Sequence, residues 1–331
     1  INVGKKITLG VVLKQTTKPI FATKAIFEIL DIPPLPNELL NTAQWISEYY
    51  ATHFALVLQA LLPSGFDKKR RSTDFSYAHP LRKRTNFLLN KDQRAVLDSI
   101  FKNAGRTFLL HGITGSGKTQ VYIEAIKNAT KDGGSAIILI PEISLTPQLV
   151  AEFANHFNNL IVTHSKMNES KRHAAWLESL KSDQQTVVIG PRSALFMPLR
   201  NIKIIIIDEC HETTYKQDQS PKYHALRAAS ILAKAHKATF IMGSATPAVL
   251  DYYLAQKSHA QILELSKPAA QVTPARIKLI DSKLRNNFTH HRFLSDDLLR
   301  MLEETIDKKQ QALLFHNRRG TAPITLCENC G

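Results

Sequence analysis

Apolar residues in the central part of the chain form short continuous runs, separated by stretches whose apolar positions recur at helical spacing. Continuous runs are typical of strands that a parallel sheet buries on both faces. They predict strands at residues 107–111, 135–140, 186–189, 204–208 and 239–243. The intervening pattern predicts helices at residues 118–129, 146–157 and 224–236. This alternation predicts an α/β fold, a doubly wound sheet within residues 89–265.

The pattern before residue 89 is different. Residues 6–13 look extended, and the prolines within 33–36 block both a helix and a central strand. A helix is predicted after them, with Asn41 or Thr42 as its N-cap. Its apolar residues are Trp45, Ile46, Tyr49 and Tyr50. This apolar side either packs into a core or serves as a platform for stacking.

Residues 67–88 have little apolar periodicity and contain a cluster of arginines and lysines. A stretch of this kind is predicted to be a basic linker. It is either a solvated tether or a strap along a phosphate backbone, where several positive charges would release counterions.

Composition narrows the class of protein. The 331 residues exceed the size of most single domains, so two or more domains are expected. The formal net charge of +15 favours nucleic acid as a partner, the alternative being a generally basic enzyme. Three cysteines are too few for a disulfide scaffold and favour a cytoplasmic protein. No apolar run of about 18 residues is present, so no membrane span is expected.

A glycine-rich stretch follows the first predicted strand of the sheet. Its sequence is Gly112-Ile113-Thr114-Gly115-Ser116-Gly117-Lys118-Thr119, which fits the phosphate-binding pattern G-x-x-x-x-G-K-[ST]. Glycines let backbone N–H groups turn toward phosphates, and the N-terminus of the following helix adds partial positive charge. Lys118 is expected to neutralise the β- and γ-phosphates of ATP, and Thr119 to ligate Mg²⁺.

Two acidic residues, Asp208 and Glu209, follow the four isoleucines of 204–207. Ligands bind at the carboxyl ends of strands in α/β sheets, and two carboxylates there are costly without a cation. Asp208 is predicted to hold Mg²⁺, and Glu209 to polarise the water that attacks the γ-phosphate.

Another predicted strand ends in Gly243-Ser244-Ala245-Thr246. We call the stretch Asp208-Glu209-Cys210-His211 the acidic motif. The hydroxyls of Ser244 and Thr246 are expected to hydrogen-bond to this motif and to transmit changes in it to a neighbouring lobe. Gln93 precedes the first helix of the sheet region, where its amide would either read the adenine edge or stand beside a helix cap formed by Asn90 or Asp92.

The order of these three motifs resembles the motor of superfamily 2 helicases. More specific stretches resemble the bacterial replication-restart helicases, the family of primosomal protein N′. They are Pro141-Glu142-Ile143-Ser144-Leu145-Thr146-Pro147-Gln148, Arg192-Ser193-Ala194-Leu195-Phe196, Phe315-His316-Asn317-Arg318-Arg319-Gly320, Trp45-Ile46-Ser47-Glu48-Tyr49-Tyr50 and Thr214-Tyr215-Lys216-Gln217. The resemblance covers almost the whole chain.

The resemblance implies an ATP-dependent 3′-to-5′ DNA helicase that assembles the primosome at stalled forks. It implies ATP, Mg²⁺ and Zn²⁺ as cofactors, and single-stranded and forked DNA, primosome proteins and single-stranded-DNA-binding protein as partners. It divides the chain into part of a DNA 3′-end-binding domain (1–40), a winged-helix-like segment (41–66), the linker, a first RecA-like lobe (89–265) and the start of a second lobe (266–331).

Specific residues follow from the same resemblance. An aromatic-rich loop behind the acidic motif would place Tyr215 and Tyr223 against bases and Lys216 against phosphates, with Arg192 as a further DNA contact. The alternative is a surface loop with incidental aromatics. Cys327 and Cys330 resemble the first half of a zinc module, although redox pairs share the CxxC spacing.

Both ends of the sequence look cut, because it begins at Ile1 and stops at Gly331, directly after the cysteine pair. Motors of this kind take an arginine from the second lobe to stabilise charge on the transferred phosphoryl group. Only the start of that lobe is expected here, so we expect this chain to bind nucleotide, to hydrolyse it slowly and not to unwind DNA. Two rival interpretations are a translocase that does not separate strands and an inactive motor that only recognises forks.

Overall fold

The computed structural model describes residues 31–63, 88–258, 260–269 and 276–315, together with short pieces of the first thirty residues. The chain forms two compact units, Ile1–Gln271 and Val272–Gly331. The first unit therefore extends past the predicted end of the first lobe at residue 265. One reason is that the Ala269 N–H donates to the Gly115 carbonyl at 2.8 Å, which attaches this segment to the glycine-rich stretch.

The strands of the first unit are β1 (Asn2–Val3), β2 (Lys6–Ile7), β3 (Thr107–Gly112), β4 (Ser135–Leu139), β5 (Leu160–Val162), β6 (Thr186–Gly190), β7 (Ile202–Ile207), β8 (Lys216–Gln217), β9 (Tyr223–His224), β10 (Thr239–Ser244) and β11 (Gln261–Leu265). Its helices are α1 (Asn37–Tyr49), α2 (Phe54–Leu61), α3 (Lys91–Lys102), α4 (Lys118–Ala129), α5 (Pro147–Ala154), α6 (Glu169–Lys181), α7 (Ala225–His236) and α8 (Val249–Lys257). In the second unit, the described residues contain α9 (Asp296–Asp307).

Seven strands form one parallel sheet in the order β11-β3-β10-β7-β4-β6-β5. The predicted α/β fold with a doubly wound sheet is confirmed, and each of the five predicted strands agrees with an observed one to within two residues. The apolar pattern does not predict strands β5 and β11 of this sheet. The first is an apolar run of only three residues, too short to be recognised as a strand, and the second is mostly half-buried at the sheet edge, where polar residues interrupt the apolar ones.

The isoleucines of β7 show why the apolar runs form central strands. Ile205 and Ile207 belong to one hydrophobic core, whereas Ile204 and Ile206 belong to another. Successive side chains of a strand point to opposite faces, so a strand covered by helices on both faces needs apolar residues at every position. Each fully buried isoleucine stabilises the fold by about 1.5–3 kcal/mol.

The N-terminal helices pack against the sheet region, with α1 on α7. The predicted N-cap at Asn41 or Thr42 is wrong, because α1 already begins at Asn37 after the extended Pro36. The predicted boundary at residue 40 falls inside α1. The indole of Trp176 donates to the Leu61 carbonyl at 2.7 Å and ties the end of α2 to α6.

The apolar side of α1 has two fates. Ile46 is buried in the core, whereas Tyr49 is 64% exposed and stacks on Trp45 with ring centroids 4.7 Å apart. The structure therefore supports core packing for most of this side, because Trp45 also packs against the core, and it leaves only the Tyr49 ring exposed.

Two predictions fall on residues outside the described part of the chain. They are the basic linker, of which only residue 88 is described, and the zinc ligands Cys327 and Cys330. In the part of the chain that the structure describes, no helix is long and apolar enough to cross a membrane.

Candidate nucleotide site

The three chemical motifs follow neighbouring strands of the sheet. Strand β10, which ends in Ser244, lies between β3, which leads into the glycine-rich stretch, and β7, which leads into Asp208. All three strands run in the same direction. Their carboxyl ends therefore form one edge of the sheet, where α/β proteins bind ligands.

The glycine-rich stretch forms a loop that leads into α4. Gly115 and Gly117 have φ angles of +76° and +80°, a region that side-chain-bearing residues rarely adopt. A Cβ atom at Gly117 would also collide with the amide of Gln93. The Ser116 hydroxyl is buried and has no hydrogen-bond partner among the described residues. The loop thus combines backbone turns that glycine adopts without strain with a buried polar group that a ligand oxygen could engage.

Lys118 is the first residue of α4 and reaches back across this loop. Its Nζ donates to the Gly112 carbonyl at 3.0 Å and lies 3.7 Å from Oε1 of Glu209. The side chain is mostly buried, so its charge is held between the loop and the acidic motif. A cation at a helix N-terminus, beside inward-turning backbone, is the arrangement that binds phosphates in P-loop proteins.

Asp208 is largely buried at the end of β7. Its Oδ1 accepts a hydrogen bond from the Tyr122 hydroxyl at 2.9 Å. Burial and the neighbouring Glu209 carboxylate raise the pKa of Asp208, while Tyr122 and Lys118 act in the opposite direction. A bound cation would offset this cost of burying a carboxylate.

Glu209 adopts a left-handed conformation with a φ of +46°, which is uncommon for a residue other than glycine. Strained backbone of this kind is concentrated at functional sites. Next to it, Nδ1 of His211 lies 3.5 Å from Oε2 of Glu209 and 2.8 Å from Oγ of Ser244. The Thr246 N–H donates to the same Ser244 oxygen at 2.9 Å. The contact predicted between the acidic motif and the Ser244 hydroxyl is therefore present, whereas the contact of the Thr246 hydroxyl stays a prediction.

Gln93 is buried, and its amide is used by the protein itself. Its Oε1 accepts from the Asn90 N–H at 2.9 Å, and its Nε2 donates to the Ser116 carbonyl at 3.1 Å. Asn90 caps α3 in return, so the capping interpretation is confirmed. The predicted adenine contact stays a prediction. In the structure, the Gln93 side chain supports the glycine-rich loop at residues 112–119, which we call the phosphate loop.

The predicted stacking of Tyr215 and Tyr223 on bases is wrong for this structure, because both rings are buried. Tyr215 is 1% exposed, and its hydroxyl donates to the carbonyls of Leu139 at 3.0 Å and Asp208 at 2.6 Å. Tyr223 is 5% exposed and packs against Phe196 with ring centroids 5.1 Å apart. A buried aromatic ring stabilises the core, and in that position it cannot stack on a base.

The two cationic residues predicted to contact DNA, Arg192 and Lys216, have different surroundings in this region. Arg192 donates to the carbonyls of Thr214 at 2.6 Å and Lys216 at 3.0 Å, so it holds the loop around Tyr215. The Lys216 side chain is exposed, and its one ion pair with a described residue is a distant one with Asp218, at 3.8 Å. Lys216 therefore remains available to an anionic partner, and Arg192 has a structural contact that the sequence analysis missed.

The residues at this edge fit Mg²⁺ and a nucleoside triphosphate. The loop glycines, the unpartnered Ser116 hydroxyl and Lys118 suit the phosphates, and the Asp208 carboxylate with the Thr119 hydroxyl gives the hard oxygen ligands that Mg²⁺ prefers. Apart from this pair, the described residues include no group of three or more His, Cys, Asp or Glu side chains that could hold a metal.

One residue of the site, Tyr122, is not predicted by the sequence patterns. It lies four residues after Lys118, so both side chains extend from the same face of α4. The spacing from Lys118 was the available signal, but an aromatic residue in a helix facing a parallel sheet is indistinguishable from ordinary core by sequence alone.

Two family models match this chain. A model described as DEAD/DEAH box helicase matches residues 90–252, and a model of the 3′DNA-binding domain matches residues 1–63. The second match continues past residue 40 through α1 and α2, so it contains most of the segment predicted to be winged-helix-like.

The sequences of individual proteins are also similar to this chain. The replication restart protein PriA of Bacillus subtilis is 37% identical over 289 residues, which are 85% of this chain and 35% of that protein. PriA of Haemophilus influenzae is 40% identical over 245 residues, which are 73% of this chain and 33% of that protein. The chain thus spans about a third of the length of these relatives.

Among solved structures, the helicase domain of Pyrococcus furiosus Hef aligns with a TM-score of 0.40 and 17% identity, over 54% of this chain and 39% of that chain. The family assignment rests on the sequence matches instead, since they cover the N-terminal region and the sheet region in one order. The chain belongs to the PriA family of replication restart proteins and contains a DEAD/DEAH box helicase domain.

Proposed function

We propose that this chain is the nucleotide-binding part of an ATP-dependent 3′-to-5′ DNA helicase that acts in replication restart. The observation that carries the proposal is the position of Lys118. It lies between the glycine-rich loop and the acidic motif, 3.0 Å from the Gly112 carbonyl and 3.7 Å from Glu209. A γ-phosphate bound at this lysine would be next to the carboxylates that handle the cation and the attacking water.

In this proposal, the loop N–H groups and Lys118 bind and orient the phosphates of ATP, and Asp208 and Thr119 hold Mg²⁺. When bound, Mg²⁺ would neutralise charge on the β- and γ-phosphates. Glu209 orients the attacking water and accepts its proton at a carboxylate oxygen. His211 lies within reach of both Glu209 and Ser244, so it would transmit a change at the γ-phosphate to the Ser244–Thr246 stretch.

The same proposal includes the polymer. Single-stranded and forked DNA would contact the exposed Lys216 and the open groove beside it, which Glu142, His164, Arg172 and Arg192 help to line. Primosome proteins and single-stranded-DNA-binding protein as partners, a zinc module at Cys327 and Cys330, and a cytoplasmic place of action are further parts of the proposal. The names of the PriA relatives support the role in replication restart.

The test separates binding from hydrolysis. A fluorescent ATP analogue is titrated with Mg²⁺, and phosphate release is measured with and without single-stranded DNA. We expect Lys118→Ala to weaken binding at least about tenfold, because a charge-assisted contact to phosphate is lost. Glu209→Gln should keep binding and lower hydrolysis by about 10²-fold or more, since general-base catalysis contributes about that much.

Equal hydrolysis by the wild type and both variants would contradict the enzymatic proposal and favour a module that only recognises forks. Because this chain alone is not expected to unwind DNA, polarity is tested with a protein of the length of the PriA relatives that contains this chain. Its strand displacement is measured on duplexes with 3′ or 5′ single-stranded tails, and movement without displacement would favour a translocase.

A further inference from the structure

Tyr122 is a buried tyrosine whose hydroxyl faces the acidic motif. The side chain is 1% exposed, and its hydroxyl donates to Oδ1 of Asp208 at 2.9 Å. A buried phenol needs a hydrogen-bond partner, and among all described residues this carboxylate is the one that Tyr122 contacts through its hydroxyl. Burial and the Asp208 charge raise the pKa of Tyr122 well above its usual value, so the hydroxyl is a donor.

The hydroxyl occupies a space to which all three motifs contribute. Tyr122 is one helical turn beyond Lys118 of the phosphate loop, and it bonds to Asp208 of the acidic motif. A Cβ atom at Gly243 would collide with the same hydroxyl. Gly243 opens the third motif, and its carbonyl accepts from the Cys210 N–H at 2.9 Å. The glycine at position 243 is thus explained by the phenol beside it.

A carboxylate that is buried at the end of a strand has several rotamers, and a cation needs one of them. The bond from Tyr122 restrains the carboxylate through Oδ1, and a backbone hydrogen bond from Glu209 restrains it further, so that one orientation of the group would be presented to Mg²⁺ or its waters. Tyr215 holds the backbone of the same residue, because its hydroxyl donates to the Asp208 carbonyl at 2.6 Å. Two tyrosines from different elements therefore restrain Asp208, one through its side chain and one through its main chain.

We propose that Tyr122 is a positioning residue that orients the Asp208 carboxylate for Mg²⁺ and so makes nucleotide binding depend on the cation. This inference rests on the proposed function, because it assumes that nucleotide and Mg²⁺ bind at this edge of the sheet. It differs from a packing role, for which phenylalanine would serve as well as tyrosine.

The experiment is a titration of Mg²⁺ against binding of a fluorescent ATP analogue to the whole chain, with a parallel measurement in EDTA. Tyr122→Phe keeps the ring and removes the hydroxyl. We expect the Mg²⁺ concentration for half-maximal binding to rise about tenfold, as for loss of a hydrogen bond to a charged group. Affinity in EDTA should stay within about twofold of the wild type. Tyr253→Phe on α8, where the side chain is 51% exposed, is the matched control and should leave both titrations unchanged.

Gly243→Ala provides a second variant, because its methyl group would displace the hydroxyl without removing it. It should reproduce the Mg²⁺-specific loss, and it should add little of this loss in the Tyr122→Phe background. A wild-type Mg²⁺ titration for Tyr122→Phe would overturn the inference, as would equal weakening with Mg²⁺ and in EDTA. A wild-type chain that binds no nucleotide would overturn the proposed function as well, so the two failures are distinguishable.

Discussion

The phosphate loop and the loop around Tyr215 are both predicted to bind a ligand. In the structure, the first has polar atoms free for a ligand, whereas the second has its aromatic rings buried. In the first, positive φ angles at Gly115 and Gly117 and the buried Ser116 hydroxyl leave backbone and polar atoms arranged for a ligand. In the second, the two aromatic rings are used for packing, and the Tyr215 hydroxyl serves Asp208.

The difference shows that some residue types in a sequence indicate one role, whereas others are compatible with several. Glycine and lysine in a fixed spacing have few alternatives, because a positive φ strains a side-chain-bearing residue in place of either glycine. An aromatic residue can stack on a base or fill a core, and both uses follow from the same ring. The loop around Tyr215 thus contacts the acidic motif directly, through the buried Tyr215 hydroxyl and the Asp208 carbonyl.

The largest expected effect that would sharpen this comparison comes from Gly117→Ala. The new methyl group would meet a positive φ and the Gln93 amide, so we expect a loss of about 2–4 kcal/mol in the free energy of unfolding together with weaker nucleotide binding. Denaturant unfolding measures the first effect. Gly115→Ala is the control, because it has a similar φ but no neighbour within 4 Å, and it should lose about 1 kcal/mol. Equal losses for the two variants would show that Gln93 does not support the loop.

An intermediate effect is expected for Tyr215→Phe. Removing the hydroxyl leaves the carbonyls of Leu139 and Asp208 without this donor, so the free energy of unfolding should fall by about 1–2 kcal/mol. Tyr223→Phe is the control, since no hydrogen bond of its hydroxyl is present among the described residues. If Tyr215 served only to stack on bases, phenylalanine would replace it without any loss of stability, and that result would restore the original prediction.

The smallest effect is expected for Lys216→Ala. The side chain is exposed, so the free energy of unfolding should change by less than about 0.5 kcal/mol. If Lys216 contacts a phosphate of single-stranded DNA, the slope of log affinity against log salt should decrease by about 0.7. Fluorescence anisotropy at several salt concentrations measures this slope. Lys203→Ala is the control, because Lys203 lies at the opposite, amino-terminal end of the parallel strands, and an identical slope for both variants would exclude Lys216 from the DNA contact.

The sequence by itself determined the features that depend on local spacing. The glycine-rich loop, the strand that precedes it and the helix that begins at Lys118 agree with the structure, because loop geometry and the periodicity of buried residues are written in consecutive positions. The apolar runs determined the central strands for the same reason. Even so, local signals predict the wrong start of α1, because the helix begins at Asn37, before the polar residues Asn41 and Thr42.

Only the tertiary structure decided which distant residues meet. The order β3-β10-β7 brings Ser244 to His211, and the face of α4 that meets the sheet brings Tyr122 to Asp208. Burial of the rings of Tyr215 and Tyr223 likewise depends on β4 and on the Arg192 segment packed around them. Strand order and the choice between packing and exposure are set by the summed contacts of the whole sheet, and no local spacing encodes them.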